Sequence, residues 1–230
     1  MIFKSPVFSQ ASGSVAGLTF SRNQGGMYVR SRATPTNPNT EAQQAVRDAM
    51  REAVFQWSNV LTATQRENWN TYAFNTPTFN RLGEATHKTG QQMFIRGSIP
   101  RMQALLSVPT VAPTSFDLGS FSALQSLAAD ASSSDIEFDF GITDEWVDVN
   151  GAALLIFQGR PQNATRIYGK GPYQLATAIL GNSVTPPTNP GLFTSLFPLA
   201  VGQRVFIKAN LSYPDGRYSV DSKYSTIVVA

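Results

Sequence analysis

Three groups of residues in this chain are of types that could do chemistry. The first is His87, the single histidine, in the polar stretch Ala85-Thr86-His87-Lys88. A Ser-His-Asp arrangement would have to recruit it as the base, and one imidazole does not anchor a metal by itself, so it reads as a surface loop residue. The second is acidic: Asp135, Glu137, Asp139, Asp144, Glu145 and Asp148. Paired carboxylates at the right separation hydrolyse glycosides, and clustered ones hold Ca²⁺. Asp135, Glu137 and Asp139, however, recur with a period of two, which places them on the solvated face of one strand. Asp144 and Glu145 fall in the turn that follows, and no Asp-x-Asp-x-Asp-Gly loop is present. The third is the set Gly13, Gly17, Gly25 and Gly26, which invites a phosphate cradle. The Gly-Lys-Ser/Thr signature is missing, and the next helix starts only after the Asn37-Pro38-Asn39 joint. Tyr28, Arg30 and Arg32 could meet a nucleic acid, but no Lys/Arg run supports them. Their alternative is strand pairing with a solvated or interfacial arginine face. No catalytic, cofactor-binding or metal-binding set is expected, and nucleic acid is not the expected partner.

The bulk numbers point to association instead of catalysis. The chain has 230 residues, enough for one large domain or two small ones. Hydrophobic residues make up 42%, an ordinary share, whereas charged residues make up only 14%, well below the usual quarter. Low charge with 15 Phe, 7 Tyr and 3 Trp suits a surface partly covered by neighbours; a well-packed β-rich monomer with a Ser/Thr/Asn surface fits equally. The net charge of +3 is divided unevenly, +6 over residues 1–105 and −3 over 106–230. Head-to-tail association of unlike halves, or docking onto an acidic partner, follows as an option. With no cysteine, disulfides, thiolate metal sites and Cys nucleophiles are excluded. Met1-Ile2-Phe3-Lys4-Ser5-Pro6 lacks the apolar length of a signal peptide, and no stretch approaches the ~18–20 apolar residues of a membrane span. The expected location before assembly is the cytoplasm, with no membrane partner.

Those residues must be held by elements that the sequence outlines in order. Residues 1–39 read as an extended arm, with a glycine-punctuated ribbon through Val15, Leu18 and Phe20, a turn at Gly25-Gly26 and a strand at Met27 to Arg32. An isolated hairpin is marginal in water, so the ribbon must pair with a sheet edge. Thr40, with Gln43 completing a capping box, opens a helix whose stripe is Ala42, Val46, Ala49, Met50, Ala53, Val54 and Trp57. Thr62 and Gln65 open a second helix carrying Trp69, Tyr72 and Ala73, and the two tryptophans are expected to meet in an αα-hairpin. A loop through Arg81-Leu82-Gly83 leads to a third helix capped by Thr89, with Pro100 at a kink or restart. Residues 40–106 are thus a helical region. Pro-, Ser- and Ala-rich residues 107–134 read as a linker. Over 135–230, strands are predicted at Ile136 to Ile142, Ala152 to Phe157, Tyr173 to Leu180, Val205 to Leu211 and Tyr218 to Val229. Turns are predicted at Asn189-Pro190-Gly191 and Pro214-Asp215-Gly216-Arg217. The expected class is α+β, with an antiparallel β-sandwich at the C-terminal end.

Two resemblances add to this reading. Through Trp146, Leu154-Leu155-Ile156-Phe157, Gly202 to Ile207 and Asp215-Gly216-Arg217-Tyr218-Ser219, residues 115–230 resemble a fibronectin type III-like (Ig-like) domain. Through Ser12-Gly13-Ser14-Val15-Ala16-Gly17-Leu18-Thr19-Phe20-Ser21-Arg22, Met27-Tyr28-Val29-Arg30, Asn37-Pro38-Asn39-Thr40 and Ala42 to Arg47, the chain resembles a family of tailed-phage and prophage proteins defined by sequence more than by activity. Trp57, Leu61-Thr62, Gln65-Arg66, Trp69, Tyr72-Ala73 and Thr89 to Phe94 extend that resemblance to about residue 100. It implies a non-enzymatic virion component of capsid, neck or tail, with other virion proteins and further copies of itself as partners. Phe20, Arg22, Tyr28, Arg30, Arg32, Trp57 and Trp69 are the residues expected to carry these contacts. A host-surface or carbohydrate-binding module carried on the virion is the alternative.

Overall fold

A computed structural model of the chain describes residues 11–23, 26–79, 84–169 and 171–230. The chain forms two compact units, 1–41 and 42–230. In the first, β1 (Gly13–Val15), β2 (Leu18–Asn23) and β3 (Gly26–Ser31) make an antiparallel sheet in the order β1-β2-β3. The sequence predicts two strands here; the third arises because Ala16, at φ 51°, makes a two-residue turn with Gly17 that pairs Val15 with Leu18. The tip at 24–25, the loop at 81–83 and the N-terminal stretch 1–10 lie outside the described residues.

In the second unit, α1 (Glu41–Phe55) begins right after Thr40 and continues as a π-helical turn, Gln56–Val60. The helix α2 (Ala63–Asn75) is opened by a complete Thr62–Gln65 capping box, as its sequence predicts. A short hairpin follows, β4 (Thr78–Phe79) with β5 (Ala85–Thr86). The helix α3 (Gly90–Gln103) has its own Thr89–Gln92 capping box, and Pro100 lies inside it. The helical pairing differs from expectation, since α2 packs on α3. Phe94 of α3 explains this: its ring lies 5.7 Å from Trp57 and 5.4 Å from Trp69. Both tryptophans therefore converge on the third helix. The helical core is Leu61, Trp69, Tyr72, Ala73, Met93 and Phe94.

The rest is one large, nearly closed β-sheet. It is built from β6 (Gln125–Asp130), β7 (Asp135–Asp139), β8 (Ala153–Gly159), β9 (Gln162–Asn163), β10 (Tyr173–Leu180), β11 (Gly191–Thr194), β12 (Gln203–Ser212) and β13 (Ser222–Val229). The order is β10-β8-β12-β13-β6-β7-β11, with β9 beside β12, and the two end strands β10 and β11 approach each other. Inward residues from both halves, among them Ile136, Phe138, Leu154, Ile156, Val205, Ile207 and Leu211, share one core with the buried Trp146. The chain is α+β, as expected.

Three features depart from the sequence reading. β6 lies inside the stretch 107–134 read as a linker. It pairs in parallel with the end of β13, Val228 opposite Ala129, so the sheet is not purely antiparallel. β11 occupies a stretch read as following a turn. The helices and the sheet are one compact unit instead of separate domains. No helix of the described residues is long and apolar enough to cross a membrane.

Helices and sheet are joined by a buried arginine. Arg101, near the end of α3, is 1% exposed. Its Nε donates to the Ser107 carbonyl at 2.6 Å, and its Nη1 donates to the carbonyls of Gly151 at 3.1 Å and Tyr213 at 3.0 Å. The same nitrogen reaches Ser212 Oγ at 3.3 Å. Burial lowers the pKa of this guanidinium, and nearby Asp215 opposes that shift. Removing this fully buried side chain leaves a cavity, takes the donor from the buried Ser212 hydroxyl and one of two donors from the Tyr213 carbonyl, so Arg101→Ala is expected to lower stability by about 3 kcal/mol or more. The measurement is a lower urea midpoint at unchanged slope; a variant as stable as the parent would contradict the joining role.

Candidate interaction surfaces

The arm sheet sorts its residues by strand parity. Directly paired residues share a face, so Val15 with Leu18, Phe20 with Val29 and Arg22 with Met27 make one face, largely apolar. Ser14, Thr19, Ser21, Tyr28 and Arg30 make the other. Backbone pairing extends one residue further, because the Arg32 amide donates to the Gly17 carbonyl at 2.8 Å. This keeps Arg32 in step with Tyr28 and Arg30. Among the described residues of 11–40 none is buried, and Val15 and Leu18 are well exposed. Among the described residues the sheet has chain pairing but no buried side chain.

A second surface is α1. Its stripe follows the helical period as predicted, yet only Ala53 is buried. Val46 is 48% exposed and Met50 44%. Periodicity finds such a stripe but does not say whether the chain covers it. The seven residues expected to carry contacts divide accordingly. Phe20, Arg22, Tyr28, Arg30 and Arg32 lie on the arm with exposed or half-buried side chains. Trp57 is half-buried against the helical core. Trp69 is 0% exposed and is a core residue, not a contact. Gly216 explains how tightly it is held: a Cβ there would lie 2.6 Å from the Trp69 ring.

The polar clefts are built of groups already used by the fold. Arg217 lies over the Tyr213 ring at 4.1 Å, pairs with Asp215 at 2.8 Å and reaches Asp117 at 3.0 Å. Burial works against its charge, but Asp215 and Asp117 outweigh burial and raise its pKa. Arg217, Tyr213 and Asp117 line an open cleft of about 450 Å³ with Ser122, Asp144 and Glu145. Asp144 is engaged from three sides, by the Ser122 amide at 2.7 Å, the Ser122 hydroxyl at 2.6 Å and the Trp146 indole N–H at 3.3 Å. No group of three or more His, Cys, Asp or Glu side chains among the described residues is placed to hold a metal ion. His87 is exposed and stacks on Phe74 at 5.5 Å. Sequence reasoning did not single out a hollow of about 210 Å³ lined by Tyr173, Phe206 and Tyr224. Tyr168, 82% exposed, stands at its rim. The strand pattern hid it, because its members come from four separate stretches of chain.

No family model matches the chain, and neither the curated proteins nor the solved structures include a match to it.

The tyrosines beside the helix–sheet junction have a pH consequence. The Tyr72 hydroxyl, which donates to the Asp117 carbonyl at 2.7 Å, is pushed up to about 12 by burial and then by Asp215. Burial raises Tyr218 as well. In the unfolded chain a tyrosine ionises near 10, so above that pH the unfolded state sheds protons that the folded state keeps. Stability from this group is fully present below pH 10 and falls as pH rises toward 12. Urea midpoints measured across that window are expected to drop, and to drop less steeply in Tyr72→Phe. An equal slope in the variant would refute the assignment.

Proposed function

We propose that this chain is a non-enzymatic structural protein of a tailed-phage virion, a component of capsid, neck or tail. It assembles in multiple copies through its N-terminal arm and helices. Its place is the virion, and before assembly the host cytoplasm; its partners are other virion proteins and further copies of itself. The virion part rests on the resemblance of residues 12–100 described above. The assembly part is carried by one observation: a paired three-stranded sheet in which no described residue is buried. Ordering such a ribbon costs ~1–2 kcal/mol per residue in backbone entropy, and one-sided apolar burial is what offsets that cost in a sheet. A neighbour that covers Val15, Leu18 and Met27 would supply it. The exposed stripe of α1 supports the same reading. Many identical copies would multiply contacts that are weak singly.

The terminal sheet is read as a sandwich of the fibronectin type III-like kind, supported by the two sets of strands whose inward side chains share one core. The parallel β6–β13 join is a departure from that pattern. A second reading, a host-surface or carbohydrate-binding module, is favoured by Tyr168 at the rim of its aromatic hollow. Binding of a glycan to the full chain, lost in Tyr168→Ala, would support it.

The test of the main reading is particle association. With a tag at Ala230, the chain is expected to co-purify with phage particles in multiple copies and to be seen at one location by low-resolution imaging. Leu18→Glu with Met27→Glu is expected to cut incorporation at least tenfold while the soluble protein stays folded. Recovery of the tagged chain only as free cytosolic protein would overturn the reading.

A further inference from the structure

Charge is segregated along this chain more sharply than the net values convey. Residues 1–40 contain Lys4, Arg22, Arg30 and Arg32 and no acidic residue. Residues 102–159 contain eight acidic residues and no Lys or Arg. The fold turns each block into a surface. On the arm, Tyr28, Arg30 and Arg32 follow one another along a single face of β3 and its extension. On the sheet, Asp135, Glu137 and Asp139 follow one another along the outer face of β7, since the alternating Ile136 and Phe138 point into the core. Leu192 of β11 lies opposite Glu137 on that same outer face and is exposed.

The two rows have the same repeat. Alternate residues on a strand are ~6.6–6.8 Å apart, so a cation row and a carboxylate row laid face to face stay in step. Arg30 and Arg32 can each meet a carboxylate, and the exposed Leu192 beside Glu137 gives the ribbon apolar ground next to the row. Resting on the multicopy reading above, we infer that the Tyr28–Arg30–Arg32 face of one copy's arm docks on the outer face of β7 and β11 in a second copy. The contact is heterologous: it joins unlike surfaces of identical chains, so it propagates into a ring or a filament instead of closing as a two-fold pair. A ribbon three strands wide and about six residues long covers well under the ~1,200 Å² total of a stable pair. Each contact is therefore weak, salt-sensitive and dependent on copy number.

The experiment uses the full chain in sedimentation equilibrium at about 50 mM and about 500 mM salt, where the screening length falls several-fold. Self-association that rises with protein concentration and weakens at high salt is expected. Arg30→Glu with Arg32→Glu, and separately Glu137→Arg with Asp139→Arg, are each expected to weaken it at least tenfold. A one-to-one mixture of the two charge-reversed proteins restores it, because each presents the face that the other now needs. A parent chain that stays monomeric at every concentration overturns the inference, as cis docking of the arm would produce. So does a mixture that stays unassociated although both variants keep the parent's circular dichroism. If the arginine reversal abolishes association while the Glu137/Asp139 reversal leaves it intact, the arm meets a different polyanion and the assignment falls. Normal incorporation of both reversed variants into particles would overturn this contact while leaving the virion reading standing.

Discussion

The compact body of this protein hangs on a guanidinium with no carboxylate in contact. Arg101 emerges from the last turn of α3 and spends its donors on the carbonyls of Ser107, Gly151 and Tyr213. Those carbonyls belong to the turn after the helix, the approach to β8 and the end of β12. Of the partners of Arg101, Tyr213 and the Ser212 hydroxyl lie in the buried interior, where a polar group needs a partner. Two further arginines brace the junction on either side, Arg217 through carboxylates. Arg96 donates to the Ser219 carbonyl at 3.0 Å and lies over the Tyr218 ring, while Arg217 ties the Asp215 turn to Asp117. Burial lowers the pKa of both Arg96 and Arg101. A guanidinium stays charged through such a shift where a lysine would be at risk of losing its proton. The junction can therefore be polar and dry at once.

Around that junction the packing leaves little freedom. A Cβ at Gly97 of α3 would run into the Gly216 backbone, and one at Gly216 would strike the Trp69 ring. The α3 helix, the 213–217 turn and α2 are thus stacked at backbone contact. The segment 107–124 has little regular structure, yet Ala112 and Leu124 are buried and Asp117 accepts from both Tyr72 and Arg217. Its prolines and serines give it the composition of a linker, but it serves as a strap within one folded unit.

The arm and the start of α1 are built on the opposite principle. They have regular backbone pairing and clear apolar order, but among the described residues only Ala53 is buried. The contrast explains the unusual composition: few charges, many aromatics and a basic front joined to an acidic back. The body has an interior of its own, whereas among the described residues of the arm none is buried.

Local order was legible in the residues themselves. The Thr62–Gln65 box, the Thr89 cap, the Gly-rich ribbon and the alternation through Ile136, Phe138 and Phe140 each act within a few residues. Backbone capping and strand parity need no distant partner. The acidic row on β7 and the arginine row on the arm were readable for the same reason. What lay beyond the sequence was whom each face meets. The stripe of α1 has the period of a core helix yet only Ala53 of it is buried, whereas Trp69 looked like a contact residue and is fully buried. β6 and β11 are short strands in Pro- and Ser-rich surroundings, and they exist because β7 and β13 offer them edges. Periodicity states which residues share a face. Only the tertiary structure decides whether that face is covered, because burial is set by residues tens or hundreds of positions away, as Arg101 and Tyr213 illustrate.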